Sequence, residues 1–217
     1  MFRTLLRKRL VVSQLVVGLS CLSIFAWSST AVAETPVILV YGDSLSAAYG
    51  IPQQQGWAAL LQNKLKDQRY NYQVINASIS GETTSGGLSR LNAKLVETKP
   101  AIVILGLGGN DGLRGLPIKE MNNNLDAMIQ LSKKSGAKVL LLGMKIPPNY
   151  GPSYTSAFSQ TFLQLSKAYE TALVPFMLEN VAGKQNLILD DGLHPNVLGQ
   201  PIILDNLWET LKTLLKK

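Results

Sequence analysis

One serine, one glycine, one asparagine and an aspartate–histidine pair in this 217-residue chain have types and settings suited to nucleophilic acyl chemistry. His194 is the only histidine, within Asp190-Asp191-Gly192-Leu193-His194-Pro195. Histidine is the side chain whose ordinary pKa lies closest to neutrality, so a general base working near pH 7 would be this residue. Asp191, three positions earlier, can accept from the ring and fix its tautomer, with Asp190 as a rival. Ser44, in Gly42-Asp43-Ser44-Leu45-Ser46, is the candidate nucleophile. Ser46 competes, and Ser44 is favoured because it lies nearer the end of the preceding apolar run. The turn after Gly42 also allows Ser44 to open a helix with its own N–H directed into a cleft.

Two further blocks supply possible oxyanion donors. Gly81, in Asn76-Ala77-Ser78-Ile79-Ser80-Gly81-Glu82-Thr83, can expose an amide with no side chain blocking the approach. Asn110, in Gly106-Leu107-Gly108-Gly109-Asn110-Asp111-Gly112, carries an amide N–H₂ that can donate to a developing negative charge. Taken singly, each block fits an ordinary cap or turn equally well. Other chemistries are poorly served. No G-x-S-x-G elbow is present, a dinucleotide fingerprint would need glycine where Asp111 stands, and no Gly-Lys-Ser/Thr phosphate loop occurs. A zinc site is not expected from one histidine and a single cysteine, Cys21. No metal or organic cofactor is expected.

Positioning these groups falls to an alternation of apolar runs and helical stripes. Pro36 to Tyr41, Tyr72 to Asn76, Ala101 to Leu107, Lys138 to Gly143 and Leu173 to Phe176 read as strands. Continuous apolar runs suit a parallel sheet covered on both faces. Trp57, Leu60, Leu61 and Leu65, then Met121, Leu125, Met128 and Ile129 behind Pro117, follow helical spacing. Leu204, Leu207, Trp208, Leu211 and Leu215 form the stripe of a last helix. The order predicts one α/β domain of three layers, α/β/α, on a five-stranded parallel sheet. The first three chemical blocks then each follow a strand, at the sheet edge where such folds bind ligands, and the Asp191–His194 block lies on a loop leading into the last helix. Pro147 to Pro152 is the most irregular segment after the signal-like N-terminus and belongs to the same edge.

The N-terminus reads as an export signal. Arg3, Arg7, Lys8 and Arg9 precede the apolar run Leu10 to Trp27, and Ala31-Val32-Ala33 gives an A-x-A ending. Cleavage after residue 33 would leave 34–217 as the mature domain, exported to the periplasm or secreted; an uncleaved anchor is the alternative. Mature protein would contain no cysteine, hence no disulfide or thiol catalysis. Its 17 basic and 14 acidic residues leave +3 against +7 for the whole chain, a balance that does not point to nucleic acid. Lys212, Lys216 and Lys217 cluster at the last helix and read as a solvated end, contact with an anionic membrane surface being the alternative. No stable membrane anchor is expected after cleavage, and a monomer is expected.

Together the four blocks resemble the SGNH hydrolases, also called GDSL esterases/lipases. That family carries a GDS serine, a glycine, a GxND asparagine and a DxxH pair, matched in order by Gly42-Asp43-Ser44, Gly81, Gly108-Gly109-Asn110-Asp111 and Asp191-x-x-His194. The stretches 76–83, 108–115, 148–151 and 190–196 are similar to its periplasmic thioesterase I/protease I/lysophospholipase L1 subgroup. The resemblance implies a flavodoxin-like sheet, Ser44 as nucleophile, His194 as base and Asp191 as its orienter. It implies an oxyanion hole from the Ser44 amide, the Gly81 amide and the Asn110 side chain. It also implies that Leu113, Arg114, Asn149 and Tyr150 lie along the acyl path. The expected substrates are acyl esters, thioesters and lysophospholipids. A carbohydrate O-deacetylase, or a non-catalytic envelope binding module on the same fold, are the competing expectations.

Overall fold

The computed structural model describes residues 35–217. The expected export signal, the alternative anchor and Cys21 lie outside them. Strands β1 (Val37–Gly42), β2 (Gln73–Asn76), β3 (Ile102–Gly106), β4 (Lys138–Leu142) and β5 (Ala172–Val174) form one parallel sheet in the order β2-β1-β3-β4-β5. The order reverses between β1 and β3, which opens a crevice at their carboxyl ends. Six helices accompany the sheet: α1 (Trp57–Asp67), α2 (Thr84–Thr98), α3 (Gly109–Leu113), α4 (Ile118–Lys134), α5 (Pro152–Tyr169) and α6 (Gly199–Lys212). α1 packs with α6 on one face, while α2, α4 and α5 cover the other. The result is the expected three-layer α/β/α domain.

Covering on both faces explains the apolar strands: all five residues of β3 are buried, as are five of the six in β1. β2 departs from the expectation of two-sided burial, since it forms a sheet edge and none of its residues is buried. The Gln62 side chain covers part of that edge, accepting from the Val74 N–H (2.7 Å) and donating to the Tyr72 carbonyl (3.1 Å). Those two capped groups are withdrawn from pairing with a foreign strand.

α1 buries Trp57, Leu61 and Leu65, one helical face, against the sheet. The Trp57 indole N–H donates to the Leu45 carbonyl (3.0 Å), fastening α1 to the turn that carries Ser44. That turn is not the helix start expected from sequence. Ser46 and Ala47 both donate to the Asp43 carbonyl, but Ala48 (φ 59°) and Gly50 (φ 73°) are left-handed and stop propagation after one turn. Segment 147–152 is also more ordered than expected: Pro148–Tyr150 forms a 3₁₀ turn, and Pro152 opens the 18-residue α5. Proline suits that first helical position because its φ is preset and its missing N–H would have no partner there. Among the described residues, no helix is long and apolar enough to cross a membrane.

Candidate active site

Ser44 follows β1, Gly81 follows β2, Asn110 follows β3, and Asp191 with His194 precede α6, so four loops meet at the β1/β3 crevice. His194 Nε2 lies 2.9 Å from Ser44 Oγ, and its Nδ1 lies 2.7 Å from Asp191 Oδ2. The choice between neighbouring candidates is made by contacts. Ser46 is 2% exposed and packs against Gly42, and the serine hydroxyl hydrogen-bonded to His194 is that of Ser44. Asp190 makes no hydrogen bond to the imidazole, whereas Asp191 does.

The 189–196 loop is held by its own backbone. Leu189 N–H donates to the His194 carbonyl (2.7 Å), Gly192 N–H to Leu189, and Asn196 N–H to Leu187. Asp191 Oδ1 accepts from the Leu193 and His194 N–H groups, both at 2.9 Å. Those two backbone donors, with the imidazole, hold the Asp191 carboxyl down at about 2, so it is an anion throughout the working range of pH.

The candidate oxyanion donors lie together beside Ser44. Among the described residues, the Ser44 and Gly81 N–H groups donate to no protein acceptor, and both residues line a cleft of about 260 Å³ with Asn110 and His194. Gly81 has φ 78°, the left-handed conformation that glycine adopts without strain. Its carbonyl accepts from Arg114 Nη2 at 3.0 Å, which ties the Gly81 loop to the end of α3. The loop is braced a second time by Glu82, whose carboxylate pairs with Arg90 on α2 while the Arg90 guanidinium stacks on Tyr41 at 4.1 Å. Asn110 Nδ2 donates to the Glu82 carbonyl (3.0 Å) and makes a long contact to Asp43 Oδ2 (3.4 Å).

Asp43 lies directly beneath. It is 1% exposed, accepts from Leu45 N–H at 3.0 Å, and has its pKa raised to about 7 by burial, with Asp111 and Glu82 adding to the rise. Asp111 is buried too, accepting from the Thr84 N–H (2.8 Å) and hydroxyl (2.6 Å), so it fastens α3 to the start of α2.

Leu113 lines the cleft and also a narrow adjoining slot of about 50 Å³, walled by Met144, Ile146, Pro147, Phe176 and Leu178. Asn149 and Tyr150 line neither cavity. Tyr150 instead donates its hydroxyl to the Leu113 carbonyl at 2.7 Å, supporting the wall from behind. Tyr49, which the sequence reading did not single out, stands in the cleft lining with its ring 4.4 Å from that of His194. No spacing rule marks such a residue. Among the described residues, no cluster of three or more His, Cys, Asp or Glu side chains is arranged to hold a metal.

Comparison with known proteins agrees with this geometry. Residues 40–202 match the GDSL-like Lipase/Acylhydrolase family. The chain is 52% identical over 195 residues to Esterase TesA of Pseudomonas aeruginosa, covering 90% of this chain and 96% of that one. It is 40% identical over 182 residues to Thioesterase 1/protease 1/lysophospholipase L1 of Escherichia coli, covering 84% and 86%. A crystal structure of TesA superposes with a TM-score of 0.81 at 54% identity, over 82% of this chain and 99% of that one. By motif order, sheet topology and overall likeness, the chain belongs to the GDSL-like lipase/acylhydrolase family.

Proposed function

We propose that the protein is a serine esterase and thioesterase that cleaves acyl esters of lipids, lysophospholipids among them, through an acyl-enzyme intermediate. The observation that carries this reading is the continuous relay Ser44 Oγ, His194 and Asp191, at 2.9 and 2.7 Å, opening onto a cleft with free amides. Ser44 Oγ attacks the carbonyl carbon as its proton passes to His194 Nε2. The carbonyl oxygen takes up the electron pair and is stabilised by the Ser44 and Gly81 amides and the Asn110 side chain. Collapse expels the alkoxide or thiolate, which receives the proton from Nε2. Water then repeats the sequence on the acyl-Ser44 ester and releases the carboxylic acid.

The apolar slot beyond Leu113 supports an acyl chain longer than acetyl, and the names of the esterase and thioesterase relatives agree with both leaving groups. Arg114 holds Gly81 in place, Tyr150 acts behind the Leu113 wall rather than on the chain itself, and Asn149 has no part in the acyl path. Residues 1–33 are the export signal and residues 34–217 the mature enzyme, acting outside the cytosol. A working monomer belongs to the same reading.

A fluorophosphonate probe tests the chemistry: it should modify wild type at Ser44 and leave Ser44→Ala unlabelled. Rates on p-nitrophenyl esters should rise from acetate to medium chains. Correctly folded protein that neither labels nor turns over would overturn the hydrolase reading, and a preference for acetate would overturn the lipid one.

A further inference from the structure

We infer that Tyr49 is a positioning residue for the imidazole, holding His194 against Ser44 through a ring contact; this rests on the reading of Ser44 and His194 as nucleophile and base. The two rings lie 4.4 Å apart, centroid to centroid, tilted by 39°. The Asp191 side chain is 38% exposed, yet that of His194 is only 14% exposed. An acid so open to water shields little of the ring it orients, and Tyr49 lies across that ring.

Its presentation is specific. Tyr49 sits between two left-handed residues, Ala48 (φ 59°) and Gly50 (φ 73°). Alanine adopts that conformation only at a cost, and such strain persists where the surroundings over-determine it. They do so here. A Cβ on Gly56 would lie 2.7 Å from the Ala48 methyl, and one on Gly50 would lie 2.5 Å from Leu189 Cδ1. The turn is therefore packed against α1 on one side and the histidine loop on the other. Tyr49 N–H also reaches the Ser44 carbonyl (3.4 Å), so one residue touches nucleophile and base together. Among the described residues its hydroxyl makes no hydrogen bond, and the residue is 50% exposed, so the ring contact with His194 is what engages it at the site.

The single histidine makes the test clean, because its Cε1 proton gives one imidazole signal in the purified full chain. In wild type that signal is displaced by the Tyr49 ring current. Tyr49→Phe should keep the displacement and stay within about twofold of wild-type turnover, as an aromatic pair needs no hydroxyl. Tyr49→Ala should lose the displacement and lower kcat about three- to tenfold, the worth of an aromatic pair, with KM nearly unchanged on p-nitrophenyl butyrate. Tyr49→Leu, which keeps bulk over the turn, is read in the same way should the alanine variant not fold. If wild type labels at Ser44 yet the ring-less variants keep full kcat or an unmoved signal, the role of Tyr49 is refuted. If wild type itself does not label, the failure belongs to the nucleophile and base assignment instead.

Discussion

Asp191 divides its two oxygens between structure and chemistry. Oδ1 receives two backbone N–H groups of its own loop, and Oδ2 receives the imidazole. An asparagine can keep the first function with its carbonyl oxygen while placing an N–H₂ against Nδ1. That forces the proton onto Nε2, where it blocks proton transfer from Ser44. Asp191→Asn should therefore fold normally, by circular dichroism and unfolding midpoint, yet lose on the order of 10³- to 10⁴-fold in kcat. Asn110→Ala should cost on the order of 10²- to 10³-fold, read as kcat on the same ester, through loss of one oxyanion donor. These residues were legible in the sequence because a lone histidine, a following-strand serine and a GxND asparagine are rare enough together to be read by type. The choice of Asp191 over Asp190, and of Ser44 over Ser46, needed coordinates only in part, since strand-end proximity already favoured Ser44. Tyr49 was not legible. Its meeting with His194 depends on two left-handed backbone positions and the packing of Leu189, none of which spacing encodes.

At the scale of elements, the strands were read within a residue or two; in β1, β3 and β4 burial on both faces leaves continuous apolar runs, whereas β2 is an edge strand with no buried residue. α2 and α5 were not singled out, for physical reasons. Gly86 and Gly87 lower the helix propensity of α2, and Gly87 is there for close approach: a Cβ would lie 2.3 Å from Leu107 Cδ1. α5 opens in a run rich in proline, serine and threonine, and shows its face only at Phe158, Phe162 and Leu165. The element most exacting for the site is α3, whose start is Gly108 at φ 117°. A Cβ there would meet Met121 Sδ at 3.2 Å and Phe162 Cζ at 3.3 Å. Gly108→Ala combines a backbone conformation closed to alanine with a crowded wall, and should destabilise by about 2–4 kcal/mol in urea unfolding. Because α3 carries Asn110, residual folded enzyme should also show depressed kcat. An unchanged unfolding midpoint would show that the loop can rebuild around the methyl.

The whole molecule responds to pH through the carboxyl buried at its switch point. Asp43 is held at about 7, chiefly by burial, whereas an aspartate in the unfolded chain titrates near 4. Between those values the folded protein keeps a proton that the unfolded chain has released, so unfolding releases it and rising pH favours unfolding. The contribution of Asp43 to stability is therefore greatest below about pH 4, declines to about pH 7 and is level above. Integrated over that window the loss is on the order of 4 kcal/mol. Asp191, held at about 2, acts with the opposite sign: its stabilisation is full above about pH 4 and is lost as pH falls toward 2. The contributions of these two carboxyls together are greatest near pH 4. The molecule thus keeps a costly carboxyl beside Asn110, where its contacts to Leu45 N–H and Asn110 shape the Ser44 turn. Asp43→Asn removes the titration while retaining an acceptor for Leu45. Urea unfolding of wild type and variant from pH 4 to 8 should give a stability difference that moves in the variant's favour up to about pH 7 and then stays constant. A difference independent of pH would mean that Asp43 is ionised in the folded protein throughout, its charge stabilised by the surrounding N–H groups rather than suppressed by burial.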